Sequence, residues 1–79
     1  MHFWVNSLIE GEFEHSALAS GQIATSGLEN LVRLHRLAGR DVQPATINGE
    51  PGYEVRHGDG RVHAVHWLAP AESGSQRPL

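Results

Sequence analysis

Residues 48–68 read Asn-Gly-Glu-Pro-Gly-Tyr-Glu-Val-Arg-His-Gly-Asp-Gly-Arg-Val-His-Ala-Val-His-Trp-Leu, a succession of turn, strand, turn and strand. Asn48-Gly49 supplies the positive φ of a tight turn, and Pro51-Gly52 fits the central pair of a type II turn. Together Asn48, Gly49, Pro51 and Gly52 form the expected turn motif. Residues 53–57 then make a strand, Gly58-Asp59-Gly60 a hairpin loop, and residues 61–68 the returning strand. In that strand Val62, Ala64, His66 and Leu68 fall on one face, with His63, Val65 and Trp67 on the other.

Upstream lies the clearest helix. Ser26 and Glu29 have the spacing of a capping box. Leu28, Leu31, Val32, Leu34, His35, Leu37 and Ala38 then recur as an apolar stripe at helical period. Arg33 follows Glu29 by four residues, the favourable order for an ion pair. Arg36 suits the negative end of the helix dipole, and Gly39 suits the residue just past the helix end. Residues 42–47 form a strand in which Pro44, having no amide to donate, argues for an edge position.

The first third is less decisive. Residues 2–5 are apolar and aromatic and begin a strand or a short helix. Residues 9–15 alternate, with Ile9, Gly11 and Phe13 on one side and Glu10, Glu12 and Glu14 on a solvated side, as in a half-buried strand. Residues 16–25 are small and polar and read as a loop or a poor strand. Residues 70–79 have almost nothing to bury and are expected to be a disordered tail. The expected fold is therefore α+β: residues 1–69 form a single small domain, one amphipathic helix packed on a curved antiparallel sheet.

The chain has 79 residues, no cysteine and a formal charge of −3, and its six basic residues are all arginine. A domain this short buries only about 60–65% of the surface its unfolded chain exposes. Disulfides and thiolate metal sites are excluded. Phosphate neutralisation dominates nucleic-acid affinity, so an acidic chain without a basic stripe is not expected to bind nucleic acid directly. No run approaches the ~18 apolar residues of a membrane span, and the first ten residues lack the pattern of a signal peptide. A cytoplasmic protein that does not contact a membrane is expected.

Six histidines invite a metal reading. His57, His63 and His66 lie close together on the expected hairpin, but alternation puts His63 and His66 on opposite sheet faces, and no cysteine or nearby carboxylate pair completes a tetrahedral site, so neither a metal nor a cofactor is expected. No Ser-His-Asp arrangement is visible, and no catalytic set is expected. His35, Tyr53, His66 and Trp67 are the candidate ligand-binding residues, as groups that can surround an apolar ligand.

The helix with Gly27, the Ile47-Asn48-Gly49-Glu50-Pro51-Gly52 segment and the hairpin through Asp59-Gly60 to Val65 resemble part of a SnoaL-like domain. The version they resemble is the one at the C-terminus of extracytoplasmic-function sigma factors. The resemblance covers residues 27–68. It implies a partial cone of the nuclear-transport-factor type and a non-catalytic accessory role, regulating transcription through contact with a sigma factor or RNA polymerase. The same fold implies an alternative, a small-molecule-binding or cyclase/isomerase-like pocket in which His66 or His35 acts as base. A homodimer that closes an exposed sheet edge is a third arrangement.

Overall fold

The computed structural model describes residues 1–71, apart from the side chains of residues 15–17. The expected disordered tail does not include residues 70 and 71, since Pro70 ends the last strand and the Ala71 amide bonds the His2 carbonyl; residues 72–79 lie outside the described residues. In chain order the elements are β1 (His2–Ile9), β2 (Glu12–Ser20), α1 (Gly21–Leu37), β3 (Asp41–Ile47), β4 (Glu50–Arg56) and β5 (Val62–Pro70). The strands form one antiparallel sheet in the order β2-β1-β5-β4-β3. A single helix on an antiparallel sheet is the α+β class that the residue patterns indicate, and β3 with Pro44 lies at the sheet edge.

The meander β3-β4-β5 follows the sequence closely. Asn48 and Gly49 have φ values of 52° and 82°, which matches a two-residue hairpin with positive φ at both positions. Pro51 and Gly52 depart from the expected turn: they continue β4, paired with Thr46 and Ala45. The Asn-Gly turn alone reverses the chain, and Gly52 serves another purpose. A Cβ there would lie 2.6 Å from Trp67 Cβ and 2.9 Å from Ile47 Cδ1, and closer still to the His66 carbonyl oxygen.

The first third differs more. Residues 9–15 are not one strand, because Glu10 and Gly11 adopt φ values of 49° and 87° and turn the chain between β1 and β2. Ile9 pairs with Glu12 across this turn. Residues 16–20 extend β2, and the helix starts at Gly21 rather than at Ser26. Ser26 and Glu29 therefore sit inside α1 and form no capping box. The helix follows β2 directly, with Ser20 as N-cap, and the Gly21 amide is satisfied by the carbonyl of Met1, just ahead of β1. Arg33 bonds Asn30 instead of Glu29. The far end matches the sequence: Gly39 has a φ of 83°. Its amide bonds the Arg36 carbonyl and the Arg40 amide bonds the His35 carbonyl, a Schellman closure.

Helix α1 covers one face of the sheet. Ala24, Leu28 and Val32 meet Val5, Val55 and Ala64, all buried. The buried polar residues Ser7 and His66 share this layer, near the C-terminal turn of α1. The opposite face carries Trp67, which Phe13 covers with ring centroids 6.0 Å apart, together with the exposed Leu8 and Leu18.

Candidate functional site: a histidine cluster beside an apolar cleft

Four histidines converge where α1 ends, at the edge of the sheet formed by the β1–β2 turn and the β4–β5 loop. His66 on β5 is 1% exposed, and Ser7 beside it on β1 is 2% exposed. Ser7 Oγ lies 2.7 Å from His66 Nδ1, and His66 Nε2 lies 2.9 Å from His35 Nε2. On the far side of His35, Arg40 Nη1 approaches Nδ1 at 3.3 Å. A guanidinium only donates, so His35 Nδ1 is an acceptor and its proton resides on Nε2. His35 then donates to His66 Nε2, and His66 Nδ1–H donates to Ser7 Oγ. Every proton in the chain Arg40–His35–His66–Ser7 points the same way.

This arrangement holds both imidazoles neutral. Burial pushes the His66 pKa down to about 4, and the neighbouring His35 and His63 rings add to the effect. Burial also lowers that of His35, followed by the charge of Arg40 and then His63. A proton added to His66 Nε2 would face the His35 N–H head-on. Ser7 beside His66 superficially suggests a nucleophile and its base. But the hydroxyl accepts the imidazole proton, no carboxylate stands behind His66, and the pair is sealed from solvent. General-base chemistry needs the base within reach of a substrate proton, so the pair is a buried polar network.

His63 is the main departure from the sequence reading. Ala64 pairs with Val55 and Val62 pairs with Arg56, so the register shifts and His63 is the extra residue of a bulge. A bulge breaks strict alternation, and the His63 ring comes against His35 with centroids 5.6 Å apart. The expected separation of His63 from His66 by the sheet is therefore corrected. The missing carboxylate is also present, supplied by the β1–β2 turn. Glu10 Oε2 lies 2.7 Å from His63 Nδ1 and 3.2 Å from His57 Nε2. Hydrogen bonds from His63 and then His57 hold the Glu10 carboxyl below its ordinary pKa. Among the described residues, Glu10, His57 and His63 are the group that could hold a metal.

A second feature lies at the other end of α1. A cleft of about 580 Å³ opens between the helix and strands β3 to β5, and Leu28, Glu29, Pro44, Thr46, Tyr53 and Leu68 are among its lining residues. Of the four candidate ligand-binding residues, only Tyr53 lines this cleft. His35 and His66 contact each other at the histidine cluster, and Trp67 lies across the sheet beneath Phe13. The sequence reading missed Ser7, Glu10 and Arg40 as site residues. Gly11 suits the turn between the two strands, but Glu10 is not a residue that favours positive φ, and no local signal pairs Ser7 with a histidine 59 residues away.

No family model, curated protein or solved structure matches this chain. Among the described residues no helix is long and apolar enough to cross a membrane.

Proposed function

We propose that this chain is a non-catalytic accessory domain that acts by protein–protein contact in transcription control, with a sigma factor or RNA polymerase as its partner. The observation that carries the contact is the sheet face left bare by α1, where Leu8, Phe13 and Leu18 are 38%, 53% and 51% exposed. Apolar residues gathered on one surface mark interaction sites more often than isolated ones do. The partner's identity is supported by the resemblance of residues 27–68 to the sigma-factor version of the SnoaL-like domain. A non-catalytic role is supported by the sealed Ser7–His66 pair. Co-purification from cells tests the proposal: a sigma factor or polymerase subunit is expected with the wild-type chain and lost with Phe13→Glu. Recovery of neither overturns it.

The cleft supports a second reading, a small-molecule binder. Its volume falls within the roughly 300–1,000 Å³ typical of ligand sites, and Tyr53 offers a hydroxyl among apolar walls. Binding to the native state raises melting temperature by mass action. A rise with polyketide-like or other apolar compounds that Leu28→Trp abolishes supports this reading, and the absence of any rise across such compounds rejects it.

A further inference from the structure

We propose that Glu10, His57 and His63 form a binding site for a first-row divalent transition-metal ion, and that zinc is the ion it fits best. The inference is independent of the partner proposal. Two imidazoles and one carboxylate are a donor set that zinc accepts, whereas calcium and magnesium prefer all-oxygen ligands. The three donor atoms lie within 4.8 Å of one another. Metal–donor bonds of about 2.0–2.1 Å in a tetrahedron place the donors roughly 3.3 Å apart. His57 Nε2 is already 3.2 Å from Glu10 Oε2, and His63 Nδ1 is 2.7 Å away. An ion is accommodated by an outward swing of the exposed Glu10 side chain together with a rotation of the partly exposed His57 side chain on the β4–β5 loop.

The backbone holds the three donors without a metal. The Glu10 amide bonds the His63 carbonyl at 3.0 Å, which ties the β1–β2 turn to β5. The His57 amide bonds the Arg61 carbonyl at 2.8 Å and closes the β4–β5 loop. The rings of His57 and His63 meet edge to face with centroids 4.8 Å apart, so both are oriented before an ion arrives. The inner side of His63 is backed by the His35 ring, with centroids 5.6 Å apart. Three protein ligands, from the β1–β2 turn, the β4–β5 loop and the β5 bulge, leave a fourth position for water or for a donor from another molecule.

The test is a calorimetric titration of the tag-free full chain with zinc, together with visible spectroscopy after adding cobalt. One ion per chain, a higher melting temperature and the visible bands of tetrahedral cobalt are expected. His57→Gln and His63→Gln should each weaken zinc binding by more than about tenfold. His2→Gln, at the opposite end of β1, should leave it unchanged. Circular dichroism checks the fold of each variant. If His63→Gln fails to fold, the exposed-loop variant His57→Gln decides the matter. No saturable zinc binding, or binding that survives His57→Gln, overturns the proposal and leaves a carboxylate hydrogen-bonded to two imidazoles.

Discussion

Ser7 and His66 are separated by 59 residues in the chain and by 2.7 Å in the fold, hydroxyl to imidazole nitrogen. The contact joins β1 to β5, the pairing that merges the β1–β2 hairpin with the β3-β4-β5 meander into one sheet. Both side chains are buried, so their polar atoms rely on protein partners instead of water. Removing one partner leaves the other desolvated and unsatisfied, which costs about 1–3 kcal/mol. Ser7→Ala is expected to lower unfolding free energy by that amount, read as a lower midpoint in a urea melt with an unchanged slope. A change within error would show that the His66 N–H finds another acceptor.

The neutral state of His66 makes stability depend on pH with a definite sign. Its folded pKa, about 4, lies below the ordinary value of 6.5. Between those values the unfolded chain binds more protons than the native one, so stability rises with pH across this window. It is complete above about pH 6.5, declines as pH falls, and levels off below about pH 4. Each tenfold change in proton affinity is worth about 1.4 kcal/mol, giving a full swing of about 3 kcal/mol. The groups that face His66 are His35 on α1, Ser7 on β1, Tyr53 as its cross-strand partner on β4 and His63 on its own strand, with Arg40 one step beyond. Melting temperatures of wild type and His66→Gln from pH 4 to 8 check this. The wild-type slope should be largely absent in the variant, and equal slopes would assign it to other groups.

Where the sequence carried local instructions, the fold was readable. The Asn48-Gly49 turn, the Gly58-Asp59-Gly60 loop, the edge position of Pro44 and the helix end at Gly39 all rest on residues whose backbone preferences act without tertiary help. The start of α1 was not readable. Gly21, Gln22, Ile23, Ala24 and Thr25 include weak helix formers, and the start is fixed by packing of Ala24 and by the Met1 carbonyl. The histidine cluster was hidden for a related reason. Period-two alternation separates His63 from His66 on paper, and only the bulge opposite Arg56, a pairing feature, brings His63 to His35. Glu10 is hidden because the alternation of residues 9–15 runs straight through its turn.

Glu10 has a backbone that its residue type disfavours. At a φ of 49° a residue other than Gly, Asn or Asp carries a penalty of about 1 kcal/mol, whereas Asn48 in the equivalent turn tolerates it. Glu10→Asn should relieve this but also removes the bonds to His57 and His63, which as exposed, solvent-screened pairs contribute little. The two effects separate in a His57→Gln/His63→Gln background. There Glu10→Asn should raise stability by about 0.5–1 kcal/mol, against little net change in wild type. A loss of stability in the double-variant background would mean that the Glu10 side chain has a further native contact.

Gly52 ties the turn chemistry to the packing of the uncovered face. It pairs directly with Trp67 on β5, and the place a side chain would occupy is filled by Trp67 Cβ at 2.6 Å and Ile47 Cδ1 at 2.9 Å. Neither obstacle is the free end of a long chain, and the His66 carbonyl, part of the β5 backbone, is closer still. Glycine here is thus a requirement of close strand approach. Gly52→Ala must push β4 from β5 or expel Trp67 from its place under Phe13. Overpacking of this kind typically costs about 1–3 kcal/mol, and displacement of the neighbouring His66 carbonyl adds strain at the start of the Ser7 network. The variant is expected to lose several degrees in melting temperature and to show a red-shifted tryptophan emission as Trp67 becomes hydrated. Wild-type stability and emission in Gly52→Ala would mean that β4 and β5 sit farther apart than described, and that Trp67 does not depend on a bare backbone opposite it.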